Sequence, residues 1–311
     1  MVSRSRDSGH FTIRPLGPGV WAAEATLGGY GLCNAGIVDL GGKCVVFDTM
    51  LTPTAGRDLV RAAQRLTGRR PDYAVNSHWH GDHVRGNREF LPAPIVSTTR
   101  TRELVRTLGP EQWRSDLREM PKLLRELRAT GDAVRSGAQA FQVGWYEGTL
   151  RVRRPFRPVP PDLTFERELV LDGRRRSLWL RSYGGGHSPS DTFAFLPDEK
   201  VAFFGDLVTV GMHPSVTDGV PSQWRTMRAK IRKLGIRTAV PGHGPTGGAR
   251  DVRRIERYLA YIDARGRAAH RRREDRAVLA RTEIPAEFQG WRAAEFFGDN
   301  LLRAFELHGA R

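Results

Sequence analysis

The chain has 311 residues, enough to bury one large core or two modest ones. A hydrophobic content of 39% and a mean hydropathy of −0.46 fit a globular protein in water, and no apolar run approaches the ~20 residues of a membrane helix. The formal charge of +16 would attract anions, but the arginines are scattered and no cluster is interleaved with an aromatic ladder, so a nucleic-acid partner is not expected.

Met1–Arg14 carries basic residues without an apolar stretch, so no signal peptide is read there and a cytoplasmic location is the default expectation. Phe11–Ala25, punctuated by Gly17-Pro18-Gly19, reads as two short strands. Tyr30–Leu40 and Lys43–Phe47 read as a hairpin across Gly41-Gly42, which Asp48 ends. Cys33 and Cys44 lie in apolar stretches and read as small buried residues, not as a disulfide. Thr54–Gly68 reads as a crossover helix capped by Thr54, with Leu59, Ala62, Ala63 and Leu66 on one face.

A short buried strand at Tyr73-Ala74-Val75 then leads into His78-Trp79-His80-Gly81-Asp82-His83. Four metal-binding side chains fall within six residues, a donor set suited to zinc or a similar first-row cation. His78 and His80 alternate by two, so extended backbone points both rings one way. Asp82 and His83 are adjacent and need a turn, which Gly81 permits, so that one loop can serve two ions.

Residues 98–161 read as an insertion between strands. A helix starts at Pro110-Glu111, with Trp113, Leu117, Met120, Leu123, Leu124 and Leu127 on its apolar face, and Pro121 is expected to kink or divide it. Trp145 and Tyr146 follow in a predicted loop; with Trp113 they are the candidates for a substrate wall. Leu163–Leu171, Ser177–Tyr183, Thr192–Leu196 and Val201–Phe204 read as successive strands, with Asp172-Gly173 marking a hairpin turn. Ser222 is expected to cap a helix bearing Trp224, Met227, Ile231 and Leu234. From Asp251 the pattern is helical: Val252, Ile255, Leu259 and Ile262 first, then Phe288, Trp291, Phe296, Leu301, Leu302 and Phe305 after Pro285. This tail reads as a cover for the sheet, a roof for the pocket, or the surface of a homodimer. Three strand-to-loop junctions carry a His or Asp after Gly: His187 in Gly186-His187-Ser188, Asp206 in Gly205-Asp206, and His243 in Gly242-His243-Gly244.

His-x-His-x-Asp-His after a strand, followed in order by His187, Asp206 and His243, resembles the signature of the metallo-β-lactamase-fold hydrolases. The resemblance runs from about Phe11 to about Gly247 and implies a four-layer αβ/βα sandwich of two mixed sheets with helices outside. It implies a catalytic domain over 1–250, leaving 251–311 as a helical extension. It assigns His78, His80 and His187 to one divalent cation and Asp82, His83 and His243 to another, with Asp206 bridging. Asp48 would support the ligand loop from behind, and Asp82 would also take up the proton of the attacking water. Zinc is the favoured pair, and the same donors accept manganese or iron. Two such ions ~3.5–4 Å apart activate water for hydrolysis. The expected substrate is a small ester, thioester, lactone or lactam-type molecule. A phosphodiesterase or nuclease of the same fold and a mononuclear iron thiol dioxygenase are the alternatives; a binding protein that keeps metal only for folding is the non-enzymatic one.

Overall fold

The computed structural model describes residues 8–129, 139–153 and 155–309, Arg228 by its backbone only. The first seven residues of the amino-terminal stretch, residues 130–138 of the insertion and Arg154 lie outside the described residues.

The first sheet holds β1 (Phe11–Gly17), β2 (Val20–Ala25), β3 (Ala35–Asp39), β4 (Cys44–Phe47), β5 (Tyr73–Val75), β6 (Ile95–Thr98) and β7 (Leu163–Phe165), side by side in that order. Its first four strands are antiparallel and its last four parallel. The second sheet runs β13 (Gly247–Gly248), β12 (Thr238–Val240), β11 (Val201–Phe203), β10 (Thr192–Leu196), β9 (Ser177–Ser182) and β8 (Glu168–Asp172), antiparallel except for the β11–β12 pair. The expected single strand at Leu163–Leu171 is therefore two. Its first three residues close the first sheet against β6; Glu166 and Arg167 carry the chain across; the rest opens the second sheet.

Every residue of β4 and of β10 is buried, because helices cover both outer faces. Between the sheets, Val45, Phe47, Val75 and Val96 pack on Leu178, Leu180, Leu196, Phe203 and Val240. The approach is close: a Cβ on Gly36 would lie 2.6 Å from the Phe203 ring. Burying a side chain such as Leu180 contributes about 1.5–3 kcal/mol, and truncating it to Ala costs about 2–5 kcal/mol. Outside the first sheet lies α1 (Pro53–Thr67). Outside the second lie α6 (Pro221–Arg232), α7 (Ala249–Arg272) and α9 (Glu295–Gly309), whose Trp224, Ile255, Leu259, Phe297 and Leu301 share one core with Phe193, Phe195 and Ala239 of that sheet. These are the four layers.

Local rules adjust the expected helix boundaries. α1 is capped by Thr52, whose hydroxyl accepts from Ala55 N, and Pro53 presets the first turn, so Thr54 lies inside the helix. α6 likewise starts at Pro221 after Val220, without a side-chain cap from Ser222. The insertion folds as α3 (Thr99–Thr107), α4 (Gly109–Ala129) and α5 (Ala140–Leu150). α4 runs through Pro121 undivided; the carbonyl freed at half-buried Leu117 can turn to water. Trp145 and Tyr146 lie on α5, not in a loop. Both cysteines are buried and free, and burial pushes each thiol up to about 12. No helix among the described residues is long and apolar enough to cross a membrane.

Candidate metal centre

Four strands deliver the site at their carboxyl ends, where open α/β sheets commonly place chemistry. β5 leads to His78, His80, Asp82 and His83; β9 leads to His187; β11 to Asp206; β12 to His243. The turn after His80 is one helical turn, α2 (Gly81–Val84), which brings the His83 ring back against His78, centroids 4.2 Å apart, and sets Asp82 and His83 beside His243. Gly81 does not need positive φ here. It needs space, since a Cβ would lie 2.5 Å from Arg85 Nε.

The seven side chains converge. Ligand atoms of His78, His80 and His187 lie within 4.8 Å of one another, as do those of Asp82, His83 and His243, and those of His78, His83 and Asp206. His187 Nε2 is 2.9 Å from His80 Nδ1. Asp206 faces both groups, 3.4 Å from His187 Nε2 on one side and 3.2 and 3.3 Å from the Nε2 atoms of His83 and His243 on the other. Asp82 Oδ2 is 3.2 Å from His243 Nε2.

Each histidine has its other ring nitrogen held from behind. His78 Nδ1 meets Ser77 Oγ at 2.9 Å, His83 Nδ1 meets Asp48 Oδ2 at 2.8 Å, and His80 Nε2 meets Asp218 Oδ2 at 2.8 Å. Backbone carbonyls hold the other two: Ser215 O at 2.9 Å from His187 Nδ1, and Leu32 O at 3.1 Å from His243 Nδ1. Such outer partners fix tautomer and ring orientation. Two of them stand on backbone in the left-handed region, Leu32 at φ 65° and Asp48 at φ 63°, a conformation uncommon for non-glycine residues and concentrated at functional sites. Asp48 also accepts from Ser77 N at 2.7 Å, which ties it to the start of the histidine loop.

Three inner atoms are left without hydrogen-bond partners. Buried His78 Nε2, His83 Nε2 and Asp206 Oδ1 make no hydrogen bond among the described residues, although the last two stand 3.2 Å apart. Unpaired buried polar atoms are costly, and a shared cation would satisfy all three. The proton affinities conflict in the same way. Burial, then the charges of His83, His80 and His187, holds His78 well below the usual histidine range. Burial also dominates at His187, pushed down to about 4. At His243 burial is outweighed by Asp206 and Asp82, which push it up to about 10. Burial would raise Asp82 and Asp206, but the histidines beside them hold both well below the carboxylate range. Imidazole and carboxylate donors in this arrangement could hold metal ions: His78, His80 and His187 form one group, Asp82, His83 and His243 a second, and His78, His83 and Asp206 a third.

A cavity of about 260 Å³ opens onto the centre, lined by His80, Asp82, His187, Asp206 and His243 together with Phe141 and Trp145 of α5 and Phe296 of α9. Of the predicted substrate wall, Trp145 thus lines the cavity. Tyr146 packs on Trp145, and Trp113 is buried under the Arg85 guanidinium and beside Phe156. Phe141 and Asp218 match no motif in the sequence, and Phe296 stands there only as one apolar residue in the helical pattern of the tail.

A His/Asp centre on the rim of two facing mixed sheets defines a class, and comparison with known proteins gives it a name. The metallo-beta-lactamase superfamily model matches residues 28–243, and the chain belongs to that superfamily. Among solved structures it is similar to a metallo-beta-lactamase from Pontibacter korlensis, at 17% identity and a TM-score of 0.58 over 80% of this chain and 99% of that one. The DIM-1 metallo-beta-lactamase matches at 16% identity and TM-score 0.57 over 81% and 97% of the two chains. TMB-1 matches at 15% and 0.58 over 80% and 97%. At these identities the likeness concerns the fold. Members of this fold are mostly metal-dependent hydrolases, typically with bound metal ions.

Proposed function

We propose that this protein is a dinuclear metal-dependent hydrolase, zinc-loaded, that opens a small ester, thioester, lactone or lactam-type substrate in the cavity beside Trp145 and Phe141. The observation that carries the reading is the convergence of seven donors, three of whose buried inner atoms make no hydrogen bond among the described residues. Cations bound by such donors acidify water and polarise a carbonyl. The chain's own residues set the stage for that chemistry. Ser77, Asp48, Asp218 and the carbonyls of Leu32 and Ser215 fix five imidazoles in one orientation each. Asp82, whose Oδ2 faces His243, is the proposed proton acceptor. Phe141, Trp145 and Phe296 exclude water and offer apolar contact to the acyl group. The tryptophan comes from the insertion and Phe296 from the carboxyl-terminal helices, which supports a role for both segments in substrate choice.

The test is metal analysis of the purified protein together with rates on thioester, lactone, ester, β-lactam, sulfate and bis-phosphate substrates. Two zinc ions per chain and turnover of an acyl substrate are expected. Asp82→Ala and His243→Ala should each lower turnover by orders of magnitude and reduce metal content. Iron at one per chain, or hydrolysis confined to the bis-phosphate, would replace this reading with the oxygenase or the phosphodiesterase one.

A further inference from the structure

Between Asp206 and α6 the chain passes along the centre and touches three of its histidines. Val210 N donates to His243 O at 3.0 Å, Ser215 O holds His187, and Asp218 holds His80. His213 lies in the middle of this segment. It is fully buried, it lines the cavity of the metal centre, and no step above uses it.

The protons around it can be traced. Val216 N donates to Asn300 Oδ1 at 2.9 Å, which fixes the orientation of that amide. Its NH2 group then donates to Pro214 O at 2.7 Å and to Tyr258 Oη at 2.9 Å. The phenol oxygen has accepted, so its own proton is left for His213 Nδ1, 3.2 Å away. A ring nitrogen that accepts leaves the proton on its neighbour across the ring. His213 is therefore the Nε2–H tautomer. Its ring meets Tyr258, Trp291 and Phe297 edge to face. Burial pushes it down to about 4, with no charged group among the described residues to offset this, so it is neutral near pH 7. Nε2 has no hydrogen-bond partner among the described residues. An enclosed donor left unpaired costs about 1–3 kcal/mol. Such a group in a residue that lines a binding cavity calls for an acceptor from outside the protein.

We infer that His213 is a specificity-determining residue whose neutral Nε2–H donates to an oxygen of the acyl substrate, with Tyr258 and Asn300 as the positioning residues that set its tautomer. The inference rests on the hydrolase reading of the same cavity and adds a substrate chemistry to it. A neutral N–H suits a carbonyl or carboxylate oxygen and offers nothing to an ammonium or an alkyl group. It also gives the carboxyl-terminal helices a function, since Tyr258 stands on α7 and Asn300 on α9.

The test uses the zinc-loaded full chain labelled with ¹⁵N-histidine, with phenylacetate as a probe that carries an acceptor oxygen and phenethylamine as one that does not. The His213 signal should show the Nε2–H tautomer. Phenylacetate should move its Nε2–H resonance, and phenethylamine should not. His213→Phe should lower kcat/KM on the acyl substrate about tenfold at unchanged zinc content. His213→Gln, which returns an N–H near the same place, should recover part of the loss. Tyr258→Phe, which keeps the imidazole but frees its tautomer, should give a mixed Nδ1–H and Nε2–H signal. An Nδ1–H tautomer in the unsubstituted protein overturns the inference. So does an Nε2–H resonance that phenylacetate leaves unmoved, whether the probe binds elsewhere or not at all; the donor then belongs to its aromatic surroundings. If phenylacetate moves the resonance but no substrate is hydrolysed, the hydrolase reading fails and the donor role stands.

Discussion

Asp218 Oδ2 sits 2.8 Å from His80 Nε2, across 138 residues of chain, and so decides which nitrogen of His80 faces the centre. With Nε2 held outward, Nδ1 is the atom left to meet His187. Asp48 does the equivalent for His83 from the opposite side. Their settings differ: the Asp218 side chain is 38% exposed and that of Asp48 is 1% exposed. On the proposed ligand assignment, Asp218→Asn should weaken the first cation site about tenfold, and Asp48→Asn the second by up to about a hundredfold. Competition with a chromophoric zinc chelator measures both. Wild-type affinity in the Asp218 variant would mean that His80 needs no such brace.

The sequence marks the candidate ligands and Asp48 but hides most of what holds them, for a physical reason. A cation needs particular side chains, and His78, His80, Asp82, His83, His187, Asp206 and His243 leave a pattern at strand ends. Leu32 and Ser215 act through carbonyl oxygens, which every residue has, so no residue type marks them. The helix α5 was hidden differently. Gly144 and Gly148 interrupt its pattern and read as loop, but they are sites of contact: a Cβ would lie 2.9 Å from Gly29 O in one case and 3.0 Å from Leu51 Cδ2 in the other. Tertiary packing overrides propensity there. The division of Leu163–Leu171 between two sheets escaped because both halves have the same strand-like composition.

The insertion is tied to the ligand helix by a buried ion pair. Arg85, just after α2, bonds Asp116 of α4 through Nη2 and Thr149 of α5 through Nη1 at 3.0 Å, and its guanidinium lies 4.9 Å from the Trp113 ring centroid. The Arg85 side chain is 2% exposed and that of Asp116 13%. Removing one partner strands the other in a dry site. Arg85→Ala should therefore cost about 3–5 kcal/mol in urea unfolding, and it should loosen α4 and α5 against the cavity. The double replacement Arg85→Met with Asp116→Leu removes both charges at similar volume and should return most of that loss. Equal stability of the single and double variants would show that the pair is not coupled.

Asp191 supplies a pH-dependence from a group that is not itself a candidate ligand, although the charges of His80 and Asp206 act on it. It is 2% exposed and accepts from Ser188 N at 3.0 Å and Ser188 Oγ at 2.9 Å, beneath the loop that carries His187. Burial pushes its carboxyl up to about 7 against the opposing pull of the Ser188 bonds. A carboxyl whose folded value is raised binds its proton more tightly in the folded state. Its contribution to stability is then fully present below the unfolded value of 3.8 and is lost as pH rises through about 7. A shift of this size corresponds to roughly 4 kcal/mol at most. Asp191→Asn keeps the shape and removes the titration. Relative to the unsubstituted protein, the variant should therefore gain stability steadily between pH 4 and pH 8, read as the difference between two urea-unfolding series. A difference that stays flat over that window would mean that Asp191 ionises at ordinary pH despite its burial.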